Sequence, residues 1–290
     1  MKRQGQAGGT NHRVTALLLL PATIWLVLLL VLPLIVVVVY SFGARAPAGG
    51  YEPAFTLAQY ANLGSRLKAF TNTLFLAPMG TLLSLVIAYP LAYFLALKAS
   101  RRLKLFLLIL VIVPFWTSLL IRTYAWIFIL GGRGLPALLA SIGIDDVRLI
   151  YTPFAVLIGI VYGYLPLMLF PVFVSLEKLD TRLLEASADL GGTPFRSFLQ
   201  VTIPMSLPGI ATGCMLVFIL LMGEFLIPAL LGGGKVYFLG NVLVDLFLQS
   251  RNWPFGSAVA VTMVAVMLVT VTLYLRFTLR NRFSRDSSIM

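Results

Sequence analysis

Apolar residues run along this chain in blocks too long for the elements of a soluble core. Six of them, at about 14–41, 71–97, 103–130, 150–174, 203–231 and 257–279, reach the roughly 20 residues an α-helix needs to cross hydrocarbon. Prolines punctuate several blocks (Pro21, Pro33, Pro78, Pro90, Pro114, Pro166 and Pro208). Membrane helices tolerate proline where neighbours re-satisfy the freed carbonyls, so these residues predict kinks rather than strands. The pattern predicts an all-α polytopic membrane protein: a tail at 1–13, a six-span domain over 14–280 and a second tail at 281–290. Gly159 and Gly163, in the fourth span, form a G-x-x-x-G that permits a close helix crossing. One further apolar stretch, Asn241 to Leu248, is too short to span and reads as an interfacial or re-entrant helix.

Composition agrees and removes other classes. Hydrophobic residues make up 60% of the chain and charged residues 11%, with a mean hydropathy of +0.98, so the bilayer is the solvent. A lone Cys214 within an apolar run excludes an intrachain disulfide, and a lone His12 leaves no His/Cys metal constellation. The net charge of +12 suggests nucleic acid only until the basic residues are placed. They collect at span ends, which is a signature of topology.

With the N-terminus inside, the inner segments hold Lys2, Arg3, Arg13, Lys98, Arg101, Arg102, Lys104, Lys178, Arg182, Arg196, Arg276, Arg280, Arg282 and Arg285. The outer loops hold only Arg45, Arg66, Lys68, Arg133, Arg148, Lys235 and Arg251. This bias predicts that both termini are cytoplasmic. Ala44-Arg45-Ala46 resembles a signal-peptide cleavage site. The apolar region before it exceeds the about 7–15 residues of a signal h-region, so the first block reads as an uncleaved helix.

Residues 175–202 are the one polar helical region on the inner side. Asp180 suits an N-cap and Thr181 to Leu190 favours helix. Gly191-Gly192 then permits a left-handed stop, and Thr193-Pro194 restarts a helix with its cap and first residue. Leu183, Leu184 and Ala188 make one apolar stripe, and Phe195, Phe198 and Leu199 another. Such an insert either lies on lipid headgroups or docks to a partner, and the residues alone leave both readings open.

Glu185-Ala186-Ser187, then Gly191, then Val201-Thr202-Ile203-Pro204 resemble the EAA loop of permease subunits in ABC importers. That pattern is E-A-A, three residues, Gly, nine residues, I-x-L-P. The departures are Ser187 for alanine, Val201 for isoleucine and Ile203 for leucine. Val113-Pro114-Phe115-Trp116-Thr117-Ser118-Leu119-Leu120-Ile121-Arg122-Thr123-Tyr124-Ala125-Trp126 is similar to the third span of the polyamine (spermidine/putrescine) branch. So are Gly223-Glu224-Phe225 with Gly232-Gly233-Gly234-Lys235, and Arg251-Asn252-Trp253-Pro254-Phe255-Gly256.

The resemblance implies a permease of a bacterial inner membrane that moves polyamines inward by alternating access. Its implied partners are a dimer of ATPase subunits, a second six-span permease, an external solute-binding protein and the lipid bilayer. Nucleic acid is not among them. It implies a coupling role for Glu185, Ala186, Ser187, Asp189, Gly191 and Pro194, which would sit in a cleft of the ATPase. ATP and Mg would bind that partner, with no cofactor on this chain.

The chain's own chemistry is consistent with a transport subunit that is not an enzyme. Gly234-Lys235 lacks the glycine five positions before Gly234 (Ala229 stands there) and is followed by Val236, so no P-loop is present. No G-x-S-x-G or H-E-x-x-H occurs, and no catalytic or metal-ligating residue is nominated.

Two ionisable residues fall within spans, Glu224 and Arg122, each costing about 3 kcal/mol or more if left unpaired. Arg122 is expected to pair with Glu224 or to snorkel to the outer interface. Glu224 with Phe225, Trp116, Tyr124 and Trp126 is a candidate carboxylate–aromatic cage for an ammonium group, with Asp245 as a second acidic candidate. The aromatics also suit an interfacial belt. An ion channel or secondary transporter would use Glu224 and Arg122 as an ion site but leaves the 175–202 insert unexplained. The same kind of importer acting on another small solute is the other alternative.

Overall fold

The computed structural model describes residues 12–286; 1–11 and 287–290, parts of the tails expected at 1–13 and 281–290, lie outside them. Helices α1 (His12–Leu26) and α2 (Leu32–Ser41) make the first span, joined by a widened π turn at Val27–Val31. A two-residue ladder, β1 (Ala44–Arg45) with β2 (Tyr51–Glu52), and the short α3 (Ala58–Ala61) follow. Then come α4 (Leu67–Leu97), α5 (Arg101–Phe115), α6 (Leu119–Leu130), α7 (Leu135–Ser141) and α8 (Pro153–Glu177). The insert carries α9 (Arg182–Asp189) and α10 (Pro194–Ser197), and a second π turn at Phe198–Thr202 leads into α11 (Ile203–Met222). The last elements are α12 (Leu226–Leu231), α13 (Leu239–Val244) and α14 (Trp253–Asp286).

Six helical segments among the described residues are long and apolar enough to cross a membrane. Two of the expected uninterrupted spans are broken. In the third, the chain unwinds at Trp116–Ser118, just after Pro114. The hydroxyl of Thr117 donates to the Pro114 carbonyl at 2.6 Å and closes the helix end. At 1.5 Å per residue α6 alone is only about 18 Å long; the segment long enough to cross is Leu119–Ser141, which adds α7, and α5 precedes α6. Both lie along α8: Lys104 meets Glu177, Leu119 meets Gly163 and Trp126 meets Tyr162. The fifth span, expected to run to residue 231, stops at Met222 and restarts at Leu226.

Each of these π turns ends two residues before a proline, Pro33 and Pro204. A proline offers no N–H to the carbonyl one turn back, and a widened turn is one way to absorb the mismatch.

The core is built by α4, α8 and α11, with Ala77, Ala88, Ala92, Leu95, Ile160, Met168, Leu169, Val172, Val217 and Leu221 buried among them. Lipid tails are as apolar as leucine, so membrane helices associate through close packing, for which small residues are the means. Gly209 and Gly213 of α11 form a second G-x-x-x-G against α8. A Cβ on Gly209 would stand 2.4 Å from the Pro171 carbonyl oxygen, and one on Gly213 would stand 2.8 Å from Met168 Sδ. The first G-x-x-x-G serves differently. Gly159 lies under Ile227 and Leu231 of α12, and Gly163 under Leu119 and Ile227, so it seats the two short helices.

The first span stands apart. Every side chain described from Leu17 to Val36 is exposed, and contact with the rest of the chain comes through α2, which lies along α14, stacks Tyr40 on Tyr51 and bonds Ser41 to Tyr60. The stretch at 239–249 is a short helical hook, too short to span, that packs into the bundle: Leu239, Val242 and Leu246 are buried with Ala69, Phe255 and Val259.

Gly209→Val should force α8 and α11 apart and cost about 1–3 kcal/mol. Thermal unfolding of the purified chain in mild detergent should show a lower midpoint. Gly64→Ala, where an added Cβ meets nothing within 4 Å, should leave the midpoint unchanged.

Candidate functional site

The insert folds as its residues dictate. Asp180 Oδ1 accepts from the Arg182 amide at 3.0 Å at the start of α9. Gly191 ends that helix with φ +79°, a conformation that costs other L-residues about 1–2 kcal/mol. Thr193 Oγ1 accepts from the Arg196 amide at 3.3 Å and Pro194 opens α10. The two short helices are joined by Ser187 and Ser197, whose hydroxyls lie 2.8 Å apart. A Cβ on Gly192 would come 2.6 Å from the Ser187 carbonyl oxygen, so the turn tolerates no side chain there.

Of the residues expected to couple, Glu185, Ala186, Asp189, Gly191 and Pro194 are exposed and Ser187 is half-buried. The apolar side chains are divided. Leu184 and Phe198 turn toward the body, whereas Leu190 is 89% exposed and Phe195 71%. Beside the insert, Lys104 pairs with Glu177 at 3.0 Å and lies 5.6 Å from the Phe173 ring centroid, which fastens the start of α5 to the end of α8.

At the far end of the bundle Glu224 occupies the break in the fifth span. Its residue is 6% exposed. Oε1 accepts from the amides of Leu226 at 2.8 Å and Ile227 at 3.1 Å, the first orphan donors of α12. Oε2 accepts from the hydroxyl of Tyr164. The segment around it is equally tight. Asn241 Nδ2 donates to the Phe225 carbonyl at 2.7 Å while its Oδ1 accepts from the Phe238 amide at 3.0 Å. A Cβ on Gly240 would stand 2.6 Å from the Glu224 carbonyl oxygen. Thr73 of α4 accepts from the Leu239 amide at 2.8 Å, so α4, α12 and the hook are one hydrogen-bonded block.

The other pathway candidates are distributed around this block. Asp245 is paired with Arg66 at 3.3 Å. Arg122 is not joined to Glu224: its guanidinium lies 5.5 Å from the Phe115 ring centroid and 5.9 Å from that of Tyr162, with a buried Nε that has no hydrogen-bond partner. Trp126 is half-buried and edge-on to Tyr162 at 5.6 Å. Trp116 is 85% exposed at the break in the third span, and Tyr124 and Phe225 are exposed as well. The chain by itself therefore assembles no closed cage around Glu224. Among the described residues no three His, Cys, Asp or Glu side chains cluster as metal ligands.

Residues 88–283 match the family described as the binding-protein-dependent transport system inner membrane component. The chain belongs to that family. It is a multi-pass inner membrane protein and a permease subunit of an ABC importer. It is 40% identical to the spermidine/putrescine transport system permease protein PotB of Haemophilus influenzae over 257 residues, 87% of this chain and 90% of that one. The PotB of Escherichia coli K12 is 41% identical over 257 residues, with 87% and 93% covered. The inner membrane ABC transporter permease protein YdcU of Escherichia coli K12 is 33% identical over 223 residues, with 72% and 70% covered. In fold the chain is similar to a bacterial ABC transporter involved in importing the acidic polysaccharide alginate. The TM-score is 0.72 at 18% identity, with 92% of this chain and 96% of that one covered.

Three participants in the permease escaped the sequence reading: Tyr164, Asn241 and Thr73. A buried tyrosine needs a partner for its hydroxyl and an intramembrane carboxylate needs donors, so Tyr164 and Glu224 have matching requirements. Nothing in their separation by 60 residues says that they meet.

Glu224→Ala should strip an acceptor from two amides and a hydroxyl, at a cost of about 1–3 kcal/mol or more. Glu224→Gln keeps the amide-capping oxygen and should lose much less. Unfolding midpoints of the two variants in detergent distinguish them, and equal losses would count against the cap.

Proposed function

We propose that this permease translocates polyamines, of the spermidine/putrescine class, into the cytoplasm and is driven by ATP hydrolysed on a separate chain. The observation that carries the driven part is the insert. Two short helices, joined through Ser187 and Ser197, present Leu190 and Phe195 to solvent with Glu185 and Asp189 also exposed. A loop resting inertly would turn those apolar side chains inward; exposed on a stiff support they suit a cleft in an ATPase subunit. The polyamine part is supported by 40–42% identity to permeases named for spermidine and putrescine transport.

In this reading Glu185, Ala186, Ser187, Asp189, Gly191 and Pro194 form the ATPase contact, and both termini face the cytoplasm with the insert, as the lysine and arginine bias requires. An ATPase dimer with its ATP and Mg, a second six-span permease and an external solute-binding protein complete the machine. One chain supplies half of a pathway. On its half the exposed rings of Trp116, Tyr124 and Phe225 suit an ammonium group. Trp126, Glu224 and Asp245, the other pathway candidates, are each held by a partner in the chain.

Reconstitution of the complete complex in proteoliposomes tests the proposal. Spermidine uptake should require ATP, the binding protein and all subunits, whereas uptake by this chain alone under an ion gradient would establish a secondary transporter. Gly191→Trp, at a backbone with φ +79°, and Glu185→Lys should abolish ATP-dependent uptake while membrane insertion persists. Trp116→Ala should raise the KM for spermidine by about 2- to 30-fold, the range of a cation–π contact, and an unchanged KM would remove it from the pathway.

A further inference from the structure

A stroke delivered to the insert reaches the fifth span along the chain, because α10 runs through the π turn at Phe198–Thr202 directly into α11. The second span, α4, has no such covalent route. Two whole crossings separate it from the insert in sequence, yet it is part of the core and carries Thr73, which holds the far-end block. Beyond the core packing that α4 shares with α8 and α11, a contact at the insert end can engage it only through space.

Phe198 is placed for that. Its ring stands perpendicular to two rings of α4: Tyr89, at 5.8 Å between centroids and 82°, and Tyr93, at 5.8 Å and 81°. Both are edge-to-face geometries, the attractive arrangement for aromatic quadrupoles. The contact is then locked. Ser206 Oγ gives its proton to the Ile203 carbonyl at 3.0 Å, so the Tyr89 hydroxyl, 3.0 Å away, is the donor to Ser206 Oγ. That places a second tie to α4, from α11 itself, about two turns beyond Phe198. On the other side, the insert is stiffened by Ser187 and Ser197. Ser187 is a position where the EAA pattern has alanine, which could not make this bond. Ser197 immediately precedes Phe198 and is buried.

We propose that Phe198 is the positioning residue that passes movement of the insert to the second span. Its ring against Tyr89 and Tyr93 makes α4 and α11 move as one body when the insert is pushed, and the Ser187–Ser197 bond keeps the insert from yielding first. The far-end block then responds because α4 holds the Leu239 amide through Thr73. This inference rests on the proposed importer reading, which supplies the push.

The test uses the complete transporter in proteoliposomes, with spermidine uptake and ATP hydrolysis measured in the same vesicles. Phe198→Leu keeps an apolar side chain and removes the ring, and should lower spermidine delivered per ATP by about fivefold or more, within the ordinary range of coupling between sites. Phe198→Tyr keeps the ring and should restore the wild-type ratio, which a loss of general packing would not explain. Tyr93→Leu, on the other side of the contact, should reproduce the defect, and the double variant should be no worse than either single one. A wild-type ratio in Phe198→Leu, or defects that multiply in the double variant, overturns the proposal. Where Phe198→Leu fails to assemble, the ratio in Tyr93→Leu decides in the same way. Absence of ATP-dependent uptake in the wild-type complex overturns the importer reading itself.

Discussion

Where a helix stops inside a bilayer, its freed amides and carbonyls have no water to turn to. This constraint organises the permease. Its fifth span breaks at Gly223–Phe225, and the three donors that would be orphaned there or nearby converge on one carboxylate, Glu224. The third span breaks after Pro114, and a threonine hydroxyl takes the exposed carbonyl. The hook at 239–249 can enter the bundle because Thr73 and Asn241 meet its first amides. A charged side chain deep in the protein is thus a means of ending a helix where water is absent. Burying a carboxylate alone would be prohibitive, but with three donors it becomes a strong acceptor for a helix start.

The same logic explains the distribution of small residues. Broken helices are short and contribute little surface of their own, so they must be seated closely. Gly159 and Gly163 give α12 and the start of α6 that approach, and Gly209 and Gly213 do so for the long crossing of α8 and α11. With the core of α4, α8 and α11 sealed in this way, the first span is left along its edge, exposed over most of its length. Its burial in the working protein falls to lipid or to another subunit.

Much of this was legible in the chain, and what was not has a physical reason. Span number follows from block length and mean hydropathy, which is why all six crossings and the short hook were readable. The caps of the insert were readable too, since Asp180, Gly191, Thr193 and Pro194 act on their immediate neighbours. The breaks were not. An apolar run through Trp116 or through Phe225 has the same composition whether or not its helix is interrupted, because lipid rewards hydrophobicity and not continuity. Pro114 and Gly223 marked weak points, but prolines at 78, 90 and 171 stand inside helices that continue. Partnership across the fold was equally hidden. The expected Arg122–Glu224 pairing matched two charges by scarcity. The structure gives the carboxylate to Tyr164 and two amides, and the guanidinium to the rings of Phe115 and Tyr162.

That outcome bears on where a cation would travel. A passing ammonium group gains most from groups that are not already satisfied. Glu224 and Asp245 are committed within the chain, so drawing either into substrate contact would first cost the protein a cap or an ion pair. Aromatic faces carry no such commitment: a ring attracts a cation without having given up a hydrogen bond to do so. Trp116 and Tyr124 flank the unwound third span and project outward, where a second subunit would supply the opposite wall. In the proposed importer, a pathway lined by rings on this half would leave the balancing negative charge to the other half, and would keep a polycation's binding weak enough on this side for it to be released.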